Sequence, residues 1–200
     1  MKKIHLGMLM VLAALFSFSL STLNSLPIGA MIPKIDTRLK DISGKDITLN
    51  EASKEGGLLV MFSCNTCPVV IRNQSRTKQI CQYALSKNIG VVLLNANEAS
   101  RQDGDSYENM QSYAKQQGYG WFYAVDQNHG LADAFGANRT PESFLFDKTG
   151  KLAYHGAIDD SPSDISSVKR QYLKEAIDEM SVGKEIAVKE SRSVGCSIRR

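Results

Sequence analysis

The cysteine pair Cys64 and Cys67, set between an apolar run and a proline, most constrains how this chain can fold. Residues 57–62 are continuously apolar after the leading glycine, which predicts a strand covered on both faces. Pro68 suits the first turn of a helix, where its missing N–H needs no partner. Cysteines at i and i+3 share one side of a first helical turn, so we expect these two to be close enough for a disulfide.

The same placement predicts different roles for the two thiols. A helix N-terminus stabilises negative charge, so Cys64, at the expected helix start, should gain thiolate character and act as the nucleophile. Cys67 would then be the resolving cysteine. Both are candidate catalytic residues, and together they form the predicted redox disulfide.

Residues 1–21 are predicted to be a secretory signal peptide. Two lysines after the initiator methionine precede an apolar stretch at residues 6–20, and small and polar residues follow. The stretch is shorter than the roughly 20 residues that a membrane-spanning helix needs, so we expect no stable membrane span in the mature form. Cleavage as late as residue 30 is also compatible with the pattern. The protein is therefore expected to be exported, to the periplasm or the extracellular space.

The remaining chain is predicted to be one domain at residues 31–183, followed by a tail at residues 184–200. Loss of the two leader lysines lowers the net charge from +3 to about +1, which argues against nucleic acid as a partner. Four cysteines are too few to staple an exported scaffold of this length, which favours a catalytic pair. A second ligand pair spaced for zinc is not found, so we expect no metal and no cofactor.

Apolar runs predict the strands of one sheet. Three runs indicate buried strands, at residues 58–62, 91–94 and 121–125. A shorter strand is predicted at residues 46–49, and residues 143–154 should form a hairpin.

Helical patterns alternate with these strands. The first helix runs from Pro68 to about residue 87. The second begins at a capping box formed by Asp105 and Glu108 and runs to about residue 117. The third and fourth cover residues 131–135 and residues 165–180. The alternation predicts an α/β fold with a central mixed β-sheet flanked by helices.

Three segments carry a resemblance to a known family: residues 62–68, which hold the CxxC motif, residues 136–147 and residues 154–160. In this order they resemble the thioredoxin-fold superfamily, in particular its redoxin branch of thioredoxin-like reductases and peroxiredoxin-like proteins. Peroxiredoxin-like members keep a CxxC and a late Gly-Cys, here Gly195 and Cys196. The resemblance implies a thioredoxin-like fold.

The resemblance also implies a substrate-binding role for Thr140 and Pro141. In the thioredoxin fold, a proline in this place follows a cis peptide bond, which only X-Pro bonds adopt at small cost. The backbone before Pro141 would pair with a cysteine-bearing segment of the substrate and hold it over Cys64. The alternative is a proline at a strand start or on an edge strand.

Several positions depart from the better-known relatives. Ser63 stands where thioredoxin has tryptophan, and the preceding strand lacks thioredoxin's buried acid, so proton removal from Cys67 needs another group or water. Counted back from Cys67, Val60 and Cys64 stand where peroxiredoxins have proline and threonine or serine. Arg139 matches their arginine only weakly. These departures favour disulfide exchange over peroxide reduction.

The two other cysteines have different expected fates. Cys81 lies on the predicted helix of Cys67, about 21 Å along its axis, which is too far for a disulfide, and its helical phase indicates a buried structural thiol. Cys196 lies in a tail whose path the sequence leaves open. It is either a third redox thiol that folds back toward Cys64 or part of an exposed terminus.

Three functions are compatible with these features. The leading hypothesis is an exported thiol–disulfide oxidoreductase that acts on disulfide-bearing or dithiol protein partners and exchanges electrons with an unidentified thiol donor or acceptor. The second is a thiol-dependent peroxidase, a peroxiredoxin-like antioxidant in which a hydroperoxide oxidises Cys67 or Cys64. The third is a non-catalytic binding module. The sequence leaves the redox direction and the oligomeric state open.

Overall fold

The structure is a computed structural model that describes residues 25–200. The leader predicted at residues 1–21 lies outside the described residues. The strands are β1 (Leu39–Lys40), β2 (Asp46–Ile47), β3 (Leu58–Phe62), β4 (Gly90–Asn95), β5 (Phe122–Val125), β6 (Arg139–Thr140), β7 (Glu142–Phe146), β8 (Leu152–Gly156) and β9 (Cys196–Ser197). The helices are α1 (Leu49–Ala52), α2 (Pro68–Arg72), α3 (Gln74–Ser86), α4 (Tyr107–Gln117), α5 (Gly130–Phe135) and α6 (Tyr172–Ser181). In residues 25–200, no helix is both long and apolar enough to span a membrane.

A five-stranded mixed sheet organises the molecule, in the order β5-β4-β3-β7-β8. Strands β3, β4 and β5 are parallel, whereas β7 runs antiparallel to both β3 and β8. Strand β3 is central, and all five of its residues are buried. The predicted α/β fold with a mixed central sheet flanked by helices is confirmed, as is the hairpin.

Alternate side chains of β3 enter two apolar layers, as the geometry of a strand requires. Leu58, Val60 and Phe62 pack in one layer, to which α1 and α5 contribute. Leu59 and Met61 pack in the other, to which α3, α4 and α6 contribute. Each such burial contributes about 1.5–3 kcal/mol, so the strand that leads into the CxxC segment is held firmly on both faces.

Three predicted boundaries move because polar side chains bind the backbone. The helix expected to run from Pro68 to residue 87 breaks at Asn73, whose amide donates to Val69 O at 2.8 Å and Pro162 O at 3.0 Å. The strand predicted at residues 46–49 ends at Ile47, because Thr48 caps α1 in a capping box. The closing helix begins at residue 172, since Asp164 caps a separate single turn before it.

The tail at residues 184–200 runs back over the domain. Ser191 N donates to His155 O at 3.0 Å, and the side chain of Ile198 is buried. Strand β9 pairs antiparallel with β6, close to the end of β3. The tail therefore contributes to the region where the CxxC segment lies.

Candidate active site

The CxxC segment leaves the carboxyl end of β3 and enters α2. Helix α2 begins at Pro68 with Cys67 as its N-cap, so the expectation that Cys64 starts the helix is wrong. Cys64 lies three residues earlier and is only 1% exposed. Burial raises the pKa of the Cys64 thiol, and a hydrogen bond to Thr140 and the charge of Asp105 oppose each other as smaller effects. The expected thiolate character of Cys64 is therefore corrected: its environment favours the neutral thiol.

Both sulfur atoms of the CxxC segment contact Thr140. Cys64 Sγ lies 3.4 Å from Thr140 Oγ1, and Cys67 Sγ lies 3.4 Å from Thr140 O. Thr140 is fully buried, and its peptide bond to Pro141 is cis, as the family resemblance implied. The structure therefore brings the candidate catalytic and substrate-binding residues together.

Cys67 forms a disulfide with Cys196, whereas Cys64 is a free thiol. The Cα atoms of the bonded pair are 6.0 Å apart, an ordinary separation for a disulfide. The bond present in this structure is thus not the one expected between Cys64 and Cys67. The same bond excludes the exposed-terminus alternative for Cys196, which is partly buried against the other two cysteines. Cys81 is a buried free thiol, as predicted, and burial raises its pKa.

Strand pairing explains why Cys196 reaches Cys67. In the two-stranded ladder, Thr140 is opposite Cys196 and Arg139 is opposite Ser197. Arg139 Nη1 also donates to Ser197 Oγ at 2.9 Å. The backbone before Pro141 therefore holds a cysteine-bearing strand, and that strand is the chain's own tail.

Asp105 holds the CxxC segment in place, a role that the sequence did not reveal. Its Oδ1 accepts from Asn65 N at 2.7 Å and Asn95 Nδ2 at 2.9 Å, and its Oδ2 accepts from Thr66 Oγ1 and Asn97 Nδ2, both at 3.0 Å. The residue is fully buried. The four donors occupy both carboxylate oxygens, so Asp105 positions the loop and is poorly placed to accept a proton from a cysteine.

Asp105 was expected to cap α4, but the neighbouring Ser106 does so, accepting from Asn109 N. The capping-box prediction was therefore wrong by one residue. Ser106 is as good a cap as aspartate, which frees the acid for another partner. The signal that could have found it is an acid eight to ten residues after two asparagines, Asn95 and Asn97, at the carboxyl end of β4.

Tyr123 supports the same segment from β5. Its hydroxyl donates to Asn65 Oδ1 at 2.8 Å, while Asn65 Nδ2 donates to Gly104 O at 3.0 Å. Complete burial raises the pKa of Tyr123 well above its usual range, so the phenol remains a hydrogen-bond donor. Both ends of the Asn65 amide are thus fixed.

Glu142 gives β6 a comparable anchor on the opposite side. Its Oε2 accepts from Asn138 N at 2.8 Å and Arg139 N at 3.0 Å, and its Oε1 lies 2.8 Å from His155 Nε2. Glu142 and His155 are both buried. The sequence had left His155 as an isolated histidine, and here it supports the strand that carries Thr140.

Comparisons with known proteins show which family and which folds this chain is similar to. A family model described as Redoxin matches residues 27–172. An uncharacterized conserved protein from Geobacillus kaustophilus has a similar structure, with a TM-score of 0.81 and 30% identity over 88% of this chain and 94% of that one. A hypothetical protein from Sinorhizobium meliloti 1021 gives a TM-score of 0.80 and 31% identity over 88% and 96% of the two chains.

A more distant structure shares the fold. The PrxQ mutant from Xylella fastidiosa has a TM-score of 0.58 and 16% identity, over 80% of this chain and 98% of that one. The comparison with curated proteins found no match.

Proposed function

The chain belongs to the Redoxin family, which supports a thiol-based redox enzyme in general, and from that premise we propose an exported thiol–disulfide oxidoreductase that acts on partner proteins through Cys64 and Cys67. One observation carries the proposal. The free thiol of Cys64 and the Cys67–Cys196 disulfide both lie against Thr140. A disulfide with a neighbouring thiol can be exchanged within the molecule by thiolate attack, whereas a disulfide with no thiol beside it cannot.

The geometry supports an exchange of the roles expected for the two cysteines. Cys67 is the sulfur bonded to a cysteine on the strand opposite Thr140, so we assign it the bond to the partner. Cys64 is buried and its pKa is raised, which suits an internal resolving thiol. Both residues keep catalytic roles in this scheme.

In the reducing direction the proposed cycle has two exchange steps. The Cys67 thiolate attacks one sulfur of a partner disulfide; the new mixed disulfide forms, the partner's S–S bond breaks, and the partner's other sulfur leaves as a thiolate that takes up a proton. Cys64, after losing its proton to solvent, attacks Cys67 Sγ. The Cys64–Cys67 bond forms, and the partner leaves with both sulfurs reduced.

The tail cysteine returns the pair to the observed state. The Cys196 thiolate attacks Cys67 Sγ, which forms the Cys67–Cys196 disulfide and releases Cys64 as a thiolate, with no net oxidation. A dithiol donor then attacks Cys196 Sγ, because Cys196 is partly exposed whereas Cys67 is 3% exposed. The donor's second thiol closes its own disulfide, and all three cysteines are reduced.

Export is supported by the three-part pattern at residues 1–21 and by a disulfide that an oxidising compartment would preserve. Fusion of residues 1–30 to a reporter that is active only after export tests this part. Activity of the fusion is expected, and an inactive, cell-retained reporter would contradict export.

Reduction of insulin disulfides with dithiothreitol as the donor tests the enzymatic part. The wild-type chain should accelerate reduction, the Cys64→Ser/Cys67→Ser double variant should not, and Cys81→Ala should match the wild type, because Cys81 is buried outside the site. Equal rates for the wild type and the double variant would overturn the proposal. Hydrogen peroxide consumption, measured in parallel, should not exceed that of the double variant; rapid consumption would instead favour the peroxidase.

A further inference from the structure

The segment Gly195, Cys196, Ser197 and Ile198, called here the docked tail segment, occupies the backbone beside the cis proline. It is extended, pairs antiparallel with β6 and places its sulfur on Cys67. Ile198 N also donates to Asn138 O at 3.1 Å, which continues the pairing beyond the two-residue ladder. Backbone pairing of this kind accepts any extended chain, so selectivity must come from the side chains.

The residue before the cysteine has no room for a side chain. A Cβ atom added to Gly195 would lie 2.0 Å from Thr140 O and 2.7 Å from Thr140 C. Both atoms belong to the backbone of a fully buried residue, so they cannot move aside as a flexible side chain would. This position in the docked strand therefore requires glycine.

The residue two places after the cysteine, in contrast, needs a large apolar side chain. Ile198 is 5% exposed and joins the apolar layer that contains Phe135 and Ala137. Ser197, between them, is exposed, as the alternation of a strand requires. The binding edge of β6 therefore favours a segment with the pattern glycine, cysteine, any residue, aliphatic residue.

Building on the thiol–disulfide exchange proposed above, we infer that the docked tail segment is a built-in copy of the partner's binding segment. The partner class is an extended protein segment in which glycine directly precedes the reactive cysteine and an aliphatic residue lies two places after it. The tail and the partner compete for β6 and for the same sulfur of Cys67. The Thr140 backbone excludes partner cysteines that lack the preceding glycine.

A peptide assay on the full chain tests this specificity. The protein carries Gly195→Ala and Cys196→Ser, which remove its own competing segment. The probe is acetyl-Val-Gly-Cys-Ser-Ile-amide with its cysteine bonded to thionitrobenzoate. Attack by Cys67 forms the Cys67–peptide disulfide and releases the thionitrobenzoate anion, whose absorbance gives the rate. Matched probes replace the glycine by alanine or the isoleucine by aspartate.

The glycine probe should react at least about tenfold faster than either matched probe, a difference that corresponds to one strongly disfavoured contact. Dithiothreitol alone should react equally with all three, which excludes differences in intrinsic reactivity. Equal rates with the protein would overturn the inference. Exchange with hydroxyethyl disulfide, a small disulfide without a peptide, separates failure of the inference from failure of the proposed function. If the protein exchanges with hydroxyethyl disulfide but shows no preference among the peptides, only the inference is overturned. If the protein exchanges with no disulfide, the inference and the proposed function are both overturned.

Two glycine-to-alanine substitutions in the protein itself give an independent test. Gly195→Ala, with all cysteines retained, should shift air-oxidised protein from the Cys67–Cys196 to the Cys64–Cys67 disulfide, lowering the share of the former at least about tenfold. Gly120→Ala is the matched control, because an added Cβ there meets nothing within 4 Å. Peptide mapping by mass spectrometry measures both shares. An unchanged share in Gly195→Ala would contradict the steric requirement.

Discussion

Two regions bring cysteines to Thr140, and they are held in different ways. The CxxC segment is fixed by buried side chains, above all by the four hydrogen bonds to Asp105. The docked tail segment is held by backbone pairing of a two-residue strand, by the buried side chain of Ile198 and by an exposed contact from Arg139. A two-residue ladder at the end of the chain opens at a smaller free-energy cost than a buried polar network. Cys64 and Cys67 therefore form a rigidly held pair, whereas Cys196 lies on a segment that can be released.

Cys67→Ser should have the largest effect, because Cys67 is the sulfur that both regions share. Neither the Cys67–Cys196 nor the Cys64–Cys67 disulfide can form, so insulin reduction should fall by about 1,000-fold or more, to the uncatalysed rate. Cys64→Ser should also lose turnover but retain the tail disulfide, which a mass shift on reduction and alkylation detects. Substantial turnover in Cys67→Ser would show that the two regions do not meet at this atom.

Asp105→Asn should weaken the rigid region specifically. The amide cannot accept all four hydrogen bonds, so the free energy of unfolding should fall by about 1–3 kcal/mol in denaturant titration. The charge of Asp105 also contributes to raising the pKa of Cys64, so its removal lowers that pKa. In the wild type, alkylation of Cys64 should increase as the pH rises past the usual cysteine range near 8.5, and in the variant the increase should begin at lower pH.

Asp103→Asn is the control for that measurement, since Asp103 is an exposed carboxylate of the same loop. It should leave both stability and the pH profile unchanged. If Asp105→Asn behaves like Asp103→Asn, the buried carboxylate does not position the CxxC segment.

Glu142→Gln should act mainly on the tail side. The carboxylate accepts from two backbone N–H groups and pairs with His155, and the amide leaves part of this arrangement unsatisfied. We expect the Cys67–Cys196 disulfide to become easier to reduce, by about five- to tenfold in its equilibrium with dithiothreitol. Glu108→Gln, an exposed acid on α4, is the control. An unchanged equilibrium would assign Glu142 to folding alone.

Arg139→Ala should give the smallest effect. It removes one exposed hydrogen bond to Ser197 and leaves the backbone pairing intact. The equilibrium of the Cys67–Cys196 disulfide with dithiothreitol should shift by about two- to fivefold, in keeping with the loss of a single hydrogen bond at the surface. A shift larger than that of Glu142→Gln would mean that side chains, and not the backbone, hold the docked tail segment.

Local patterns in the sequence sufficed for part of the fold. The strands at residues 58–62 and 91–94 follow from apolar runs, and the burial of Cys81 follows from its helical phase. Such patterns do not show a side chain whose partners lie elsewhere in the chain. Asp105 looked like a helix cap because its true partners, among them Asn65, lie far away in sequence or on another strand.

The sequence by itself determined the α/β alternation, the place of the CxxC segment after a buried strand, and, through the family resemblance, the cis bond before Pro141. Periodicity and chain order suffice for these because they depend on neighbouring residues. Only the tertiary structure decided which cysteines pair and which thiol is buried. Cys196 lies 129 residues from Cys67, and its approach depends on the tail pairing with β6. The pKa of Cys64 likewise depends on desolvation by residues distant in sequence, which local pattern cannot show.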